Sequence, residues 1–176
     1  MLESRMLDNR NIVLTGFMGS GKSMVSRELG KIYRREVLST DELIEQREGI
    51  SIRDIFETRG EPYFREVEAA VVREVAERQE VIIDCGGGVV IDPANMTTLR
   101  RTGIIFYLHT SVESVLKQVL KNQKRPLLNV ADPEARVRQL LTEREPMYRQ
   151  ADYTLETADN TVDEIVVKMR EILDHD

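Results

Sequence analysis

Residues 16–23 read Gly-Phe-Met-Gly-Ser-Gly-Lys-Ser, which matches the pattern G-x-x-x-x-G-K-S/T at every fixed position. Residues 11–15, which read Asn-Ile-Val-Leu-Thr, precede this stretch as a candidate strand, and residues 22–33 follow it with helical periodicity. Glycines let backbone N–H groups curl around phosphate oxygens, and the N-terminus of a helix adds partial positive charge. The stretch therefore predicts a phosphate-binding loop, and its place between strand and helix argues against a chance glycine-rich turn.

This loop predicts that the chain binds a nucleotide. The predicted nucleotide contacts within it are Gly19, Ser20, Gly21, Lys22, Ser23 and Met24. Lys22 can reach the β- and γ-phosphates, and the hydroxyl of Ser23 can ligate Mg²⁺. The loop leaves open whether the γ-phosphoryl group goes to water, to a protein or to a small molecule, so the acceptor has to be sought elsewhere in the chain.

Strand candidates alternate with helix candidates along the whole sequence. After the first strand, further strands are predicted at 36–39, 81–84, 103–108 and 153–156. Helices are predicted at 22–33, 41–48, 51–57, 62–78, 93–101, 112–121, 133–148 and 162–173. This alternation indicates an α/β fold of three layers, with a parallel sheet between two layers of helices. Ligands bind at the carboxyl ends of such strands, so the residues that follow each strand are the functional candidates.

Composition excludes several classes of protein. The chain has 176 residues, and its hydrophobic fraction of 41% suffices for one packed domain. It has 25 Lys and Arg against 31 Asp and Glu, and this net charge of −6 disfavours nucleic acid and anionic membranes as partners. A single cysteine, Cys85, excludes an intramolecular disulfide. Because no apolar run reaches the ~20 residues that span a bilayer, and residues 1–10 lack a secretion signal, we expect a cytoplasmic protein.

Several groups of residues near the predicted strand ends occur in an order and spacing shared with a known family. They are Thr40-Asp41-Glu42-Leu43-Ile44-Glu45, Ile52 to Phe56, Gly60-Glu61, Phe64-Arg65-Glu66-Val67-Glu68, Gly86-Gly87-Gly88, Arg125-Pro126-Leu127-Leu128 and Arg144-Glu145-Pro146-Met147-Tyr148-Arg149. On these groups and the loop at 16–23, the sequence resembles the shikimate kinase family from Asn11 to Leu173. The resemblance implies transfer of the γ-phosphoryl group of ATP to the 3-hydroxyl of shikimate, with Mg²⁺.

The same resemblance implies the architecture. It is that of a P-loop kinase with five parallel strands in the order 2-3-1-4-5. Residues 1–176 would form a single domain, in which residues 41–78 bind the acceptor and residues 122–132 form a mobile lid. We expect this domain to act as a monomer.

By the resemblance, seven residues build the acceptor site. They are Asp41, Phe56, Phe64, Arg65, Glu68, Gly87 and Arg149. Arg65 and Arg149 would grip the carboxylate of shikimate, because planar guanidinium groups bind carboxylates bidentately. Gly87 would offer a backbone N–H, the two phenylalanines would wall the ring, and Glu68 would hold Arg65.

Three residues would act on the reacting groups. Asp41 would accept hydrogen bonds from the ring hydroxyls and orient or deprotonate the nucleophile. Arg125, in the lid, would contact the nucleotide and stabilise charge on the transferred phosphoryl group. Lys22 would hold the phosphates from the other side.

Several of these candidate residues can also be explained by a purely structural role. Asp41 is placed to cap the helix that follows it. Arg65 and Arg149 can be surface ion-pair residues, and Arg125 can be a solvated charge of the lid. The two phenylalanines can be ordinary core, and Cys85 is interpreted as a packing residue.

Three positions depart from the family pattern. Ser39 stands where the family usually has an aspartate that helps to hold Mg²⁺, and Asp84 ends the third strand. In other P-loop enzymes an aspartate at the end of an apolar strand lies near Mg²⁺ and the loop serine. We therefore hypothesise that Asp84 joins Ser23 as a metal ligand. The alternative is that Asp84 caps the glycine-rich turn or forms an ion pair with a basic side chain. Gln118 replaces an arginine that stacks on adenine, which weakens or shifts the expected contact with the base.

Two other functions compete with shikimate phosphorylation. One is a kinase for a related anionic polyol acid, and the other is an impaired nucleotide-binding paralogue with a regulatory role. The altered position Ser39 leaves the second open. The intact Lys22, Asp41, Arg65, Arg125 and Arg149 argue against it.

Overall fold

A five-stranded parallel sheet forms the centre of the protein. The computed structural model describes residues 9–121 and 130–176. The strands are β1 (Asn11–Thr15), β2 (Val37–Ser39), β3 (Ile82–Asp84), β4 (Gly103–His109) and β5 (Tyr153–Glu156). All pairings are parallel and the order across the sheet is β2-β3-β1-β4-β5, so the predicted fold class and strand order are confirmed.

Seven α-helices surround the sheet in the described parts of the chain. They are α1 (Lys22–Tyr33), α2 (Thr40–Glu48), α3 (Ile52–Ala76), α4 (Pro93–Arg100), α5 (Val112–Lys121), α6 (Pro133–Tyr148) and α7 (Val162–His175). A short 3₁₀-helix spans Val89–Ile91. Across residues 9–121 and 130–176, no helix combines the length and the apolar character that a bilayer span requires.

Side chains that alternate along the strands divide the core into two parts. In β1, Val13 faces one side and packs in a cluster that contains Ile83 together with residues of α3, α4 and α6. Ile12 and Leu14 face the other side and pack with Phe106 and residues of α1 and α7. Successive residues of a strand point to opposite faces, so strands such as β1 and β3, which are buried along their whole length, require helices on both sides of the sheet.

The helix boundaries follow local capping groups. Ser39 is the N-cap of α2, and its hydroxyl accepts a hydrogen bond from the backbone N–H of Glu42 at 3.3 Å. The alternative in which Asp41 caps this helix is therefore wrong, since α2 begins one residue earlier and Asp41 lies inside its first turn. Within α3, Gly60 is non-helical with φ 81° and ψ 168°, so the two helices predicted there meet at a kink.

Register places functional candidates side by side at one edge of the sheet. Asp84 of β3 is paired with Leu14 of β1 and with Ser39 of β2. The phosphate-binding loop follows β1, the helix α2 follows β2, and Gly86 to Gly88 follow β3. Because parallel strands all end at the same edge, these three connections meet there.

Replacement of Asn11 by alanine should destabilise the fold. The side chain of Asn11 is fully buried, donates to the carbonyl of Arg78 at 2.8 Å and accepts from the N–H of Val81 at 3.1 Å. Because Asn11→Ala leaves both backbone groups without this partner, we expect the free energy of unfolding to fall by about 2–4 kcal/mol in chemical denaturation. Asn9→Ala, a change at an exposed residue, is the control. An equal effect of both changes would show that the two hydrogen bonds of the Asn11 side chain do not stabilise the fold.

Candidate active site

Two adjoining cavities open at the carboxyl edge of the sheet. The larger cavity has a volume of about 530 Å³ and lies between α2, α3 and the glycine turn after β3. The smaller cavity, about 250 Å³, lies over the phosphate-binding loop. Met18, Asp41 and Gly87 line both, so the two spaces meet at these three residues.

The phosphate-binding loop has the backbone that its sequence predicts. Gly19 and Gly21 have φ values of 77° and 89°, which favour glycine. Lys22 opens α1, and its ammonium group donates to the carbonyls of Gly16 at 2.7 Å and Phe17 at 3.0 Å. The loop is therefore curled around its own lysine at the N-terminus of a 12-residue helix, the arrangement that binds phosphate.

Most of the predicted nucleotide contacts lie together. Gly19, Gly21, Lys22, Ser23 and Met24 line the smaller cavity. Ser20 does not line it: this residue is buried, and its hydroxyl lies 3.4 Å from the ammonium of Lys22. Ser20 therefore contacts Lys22 within the loop and does not face the nucleotide space.

A hydroxyl and a carboxylate meet beside the loop. The Oγ of Ser23 donates to Oδ2 of Asp84 at 2.7 Å, and only 7% of Asp84 is exposed. Both groups offer oxygen ligands of the kind that Mg²⁺ prefers. Within the described residues no three His, Cys, Asp or Glu side chains cluster as a metal site. The pair therefore fits a cation that takes most of its ligands from water and phosphate, as Mg²⁺ does.

Phe56 and Phe64 form the apolar wall of the larger cavity. Their ring centroids are 4.7 Å apart with an interplanar angle of 40°. Phe64 is 4% exposed and belongs to the main core cluster, against which Phe56 also packs. The cavity-wall and core interpretations of these residues therefore hold together.

Arg65 is held at the cavity by two carboxylates of its own helix. Its Nη1 donates to Glu68 at 2.8 Å, and its Nη2 donates to Glu61 at 3.1 Å. Burial raises the pKa of the Glu68 carboxyl, while the guanidinium of Arg65 opposes that rise. Gly88 lies so close that a Cβ there would be 2.3 Å from Nη1 of Arg65. The position of Arg65 thus depends on Glu68 behind it and on glycine in front of it.

Arg144, and not the predicted Arg149, lines the larger cavity together with Arg53 and Arg65. Arg144 lines the cavity, is 6% exposed, and has its guanidinium 5.8 Å from the ring centre of Phe17. Arg149 does not line the cavity; it is exposed at the end of α6 and donates to Glu145 at 2.6 Å, as its surface ion-pair interpretation predicts. Residues five apart on a helix lie about 140° apart around its axis, which separates the two side chains.

The sequence contains a signal that favours Arg144. The buried positions of α6 are Val137, Leu140, Leu141, Arg144 and Tyr148. Arg144 therefore lies on the inward stripe of the helix, at the spacing of three or four residues that marks a buried face. Arg149 falls outside that stripe.

Asp41 lies where the two cavities meet. Its carboxylate packs on Gly86, where a Cβ would be 2.3 Å from Oδ1. The preceding residue, Thr40, is fully buried and accepts the N–H of Gly86 at 2.8 Å. This contact, which the sequence did not reveal, ties the first turn of α2 to the glycine turn and so places Asp41.

The remaining candidates are placed as follows. Gln118 of α5 lines the smaller cavity and packs over Gly19, where a Cβ would be 3.2 Å from that of Gln118. Cys85 is 1% exposed, and burial raises the pKa of its thiol, as expected for a packing residue. Arg125 and residues 122–129 of the predicted lid lie outside the described residues.

The family model for shikimate kinase matches residues 18–174. The chain belongs to the shikimate kinase family. It is 45% identical to a shikimate kinase of Caldanaerobacter subterraneus over 89% of this chain and 91% of that protein. It is 40% identical to a shikimate kinase of Acinetobacter baylyi over 93% of this chain and 91% of that protein.

Solved structures of the family have the same fold. A shikimate kinase from Acinetobacter baumannii in complex with shikimate matches with a TM-score of 0.92 and 37% identity, covering 97% of this chain and 96% of that one. A shikimate kinase from Aquifex aeolicus matches with a TM-score of 0.81 and 31% identity, covering 93% and 96%. The predicted family and the predicted ATP-dependent kinase activity are thereby confirmed.

Proposed function

We propose that this chain transfers the γ-phosphoryl group of ATP to the 3-hydroxyl of shikimate, and that Arg65 and Arg144 bind the carboxylate of shikimate. The main support is the position of Asp41. In the described parts of the chain it is the one acidic residue that lines both the larger and the smaller cavity. An acceptor in the larger cavity can therefore present a hydroxyl to a carboxylate beside the phosphate-binding loop.

The larger cavity suits a small ring with a carboxylate and hydroxyl groups. Phe56 and Phe64 supply the apolar wall, while Arg65 and Arg144 supply guanidinium groups that are mostly shielded from water. A guanidinium that is already desolvated binds a carboxylate more strongly than an exposed one does. The arrangement favours an anionic acceptor over an uncharged sugar.

Asp41 can act on the nucleophile. The acceptor hydroxyl must be oriented toward the γ-phosphorus and must lose its proton as the new P–O bond forms and the bond from the γ-phosphorus to the departing ADP breaks. A carboxylate at the junction of the cavities can accept a hydrogen bond from that hydroxyl and can take the proton. Lys22, at the other side of the phosphates, can neutralise charge that develops on the transferred group.

Ser23 and Asp84 are the residues that would hold Mg²⁺. When bound, Mg²⁺ neutralises charge on the β- and γ-phosphates. Asp84 is oriented by its hydrogen bond with Ser23 and by its place at the end of β3. We also propose that Arg125 stabilises charge on the transferred phosphoryl group. We further propose that the protein is cytoplasmic and acts as a monomer.

A coupled assay of ADP release tests the function directly. The wild-type protein with ATP and Mg²⁺ should turn over shikimate, because the larger cavity provides both guanidinium groups and Asp41. It should not turn over an analogue that lacks the 3-hydroxyl. Turnover of gluconate in preference to shikimate would instead establish the related anionic-acceptor activity. Tight ATP binding without turnover of either compound would show an impaired kinase.

The two arginines of α6 should respond differently to substitution. Arg144→Gln removes a guanidinium that lines the larger cavity, so we expect the KM for shikimate to rise about 10- to 100-fold, as for a lost bond to a charged group. Arg149→Gln removes an exposed ion pair and should raise it no more than about threefold. Steady-state kinetics measure both values, and a larger effect at Arg149 would reverse the assignment.

Asp84→Asn should weaken the dependence of nucleotide binding on Mg²⁺. In calorimetric titrations the wild-type protein should bind ADP more tightly with Mg²⁺ than without it. In the variant, the ratio of the Kd for ADP without Mg²⁺ to the Kd with Mg²⁺ should be about tenfold smaller, because the amide replaces a charged oxygen ligand. Asp174→Asn, an exposed change on α7, is the control. An unaltered gain in the Asp84 variant would show that Asp84 does not take part in metal binding.

A further inference from the structure

A buried tyrosine that takes no part in the proposed reaction ties α6 to the glycine turn. Tyr148 is fully buried, and its hydroxyl donates a hydrogen bond to the carbonyl of Gly87. Burial raises the pKa of Tyr148 to about 12, so the hydroxyl stays protonated and can donate at neutral pH. Arg144 reaches the same carbonyl at 3.5 Å. Two side chains, one turn apart on α6, therefore converge on one backbone oxygen.

Fixing this carbonyl fixes the peptide group between Gly87 and Gly88. The peptide is planar and trans, so the N–H of Gly88 points away from the carbonyl of Gly87. Both glycines line the larger cavity, and Gly88 packs closely on the guanidinium of Arg65. Glycine peptides rotate easily when nothing holds them. A rotation here would change the hydrogen-bonding surface of the cavity and the space left for Arg65.

Tyr148 is in turn held from the side of β4. Its ring stacks on Tyr107 with centroids 4.9 Å apart and an interplanar angle of 11°. The hydroxyl of Tyr107 donates to Oε2 of Glu145 at 2.6 Å, and Nε of Arg149 donates to Oε1 of the same residue at 2.6 Å. Glu145 therefore joins β4 to the last turn of α6, and Arg149 supports it from outside the cavity.

We propose that Tyr148 is a positioning residue, which holds the Gly87–Gly88 peptide in the orientation that binds the acceptor, and that Glu145 and Arg149 support it. Tyr148 does not line the larger cavity and so acts on the acceptor only through the glycine turn. The inference rests on the proposed function, since shikimate is the acceptor used to test it. It adds that affinity for the acceptor depends on a hydroxyl buried behind the site.

Tyr148→Phe isolates this hydroxyl, because the ring and its stack on Tyr107 are kept. We expect the Kd for shikimate, measured by calorimetry, and the KM for shikimate to rise about tenfold, the size of one lost hydrogen bond to a buried group. The kcat should stay within about twofold of wild type, and the Kd for ADP should rise less than that for shikimate, because Gly88 and Arg65 line the larger cavity alone while Gly87 also lines the smaller one. A merely structural role would instead lower the thermal midpoint and weaken both ligands together.

Two further variants complete the test. Tyr153→Phe is the matched control, because the Tyr153 hydroxyl bonds to Asp176 and not to the glycine turn, and it should change neither ligand. Tyr107→Phe keeps the stack and removes the bond to Glu145, so it should raise the Kd for shikimate about threefold without changing that for ADP. This variant carries the test if Tyr148→Phe does not fold.

The outcomes separate this inference from the proposed function. Unchanged shikimate affinity in the folded Tyr148→Phe protein, or in Tyr107→Phe if that variant carries the test, overturns the inference and leaves the function intact. An equal loss of ADP and shikimate affinity also overturns it. No shikimate binding by the wild-type protein overturns the proposed function, and the inference with it.

Discussion

The pairing of β3 between β1 and β2 is the constraint on which both cavities depend. It puts Asp84 level with Leu14 of β1 and Ser39 of β2, beside the serine of the phosphate-binding loop. It also makes the chain leave the sheet between the two ligand spaces, so that the glycine turn at 86–88 becomes their shared boundary. Small residues are needed there because Asp41, Arg65 and Tyr148 of α6 all approach the backbone closely.

Charge is used sparingly in this arrangement. The chain is acidic overall, and its surface is unsuited to general anion binding. The cationic groups that line the two cavities lie on three helices: Lys22 on α1, Arg53 and Arg65 on α3, and Arg144 on α6. Arg65 has carboxylate partners, and Arg144 is almost fully buried beside an aromatic ring. Such groups keep little freedom to lose when an anion arrives, which favours binding.

Much of the fold could be predicted because its signals are local. The motif at 16–23, the apolar strands and the capping residues each depend on a few neighbouring residues, and the observed elements match the predicted ones to within one or two residues at most boundaries. The strand order and the family came from resemblance, which carries information about distant contacts that periodicity lacks. Gly60 also behaved as predicted, because a glycine followed by a proline two residues later disfavours a continuous helix.

The errors arose where a role depends on the direction of a side chain. Arg144 and Arg149 flank the same short motif, and only the rotation of α6 decides which one turns inward. The role of Thr40 was likewise hidden, since its hydroxyl bonds to a turn 46 residues away. Contacts of that kind depend on tertiary packing, so a single sequence does not specify them.

The apolar wall formed by Phe56 and Phe64 couples the selectivity of the larger cavity to the stability of the fold. Phe64 serves the packed interior and the larger cavity with the same ring, and Phe56 leans on both. A substitution that reshapes the cavity for a bulkier acceptor would therefore also leave a void or a strain in the core. The number of substitutions that can be made in this wall to accept a new substrate is therefore limited by the loss of folding stability that the protein can withstand.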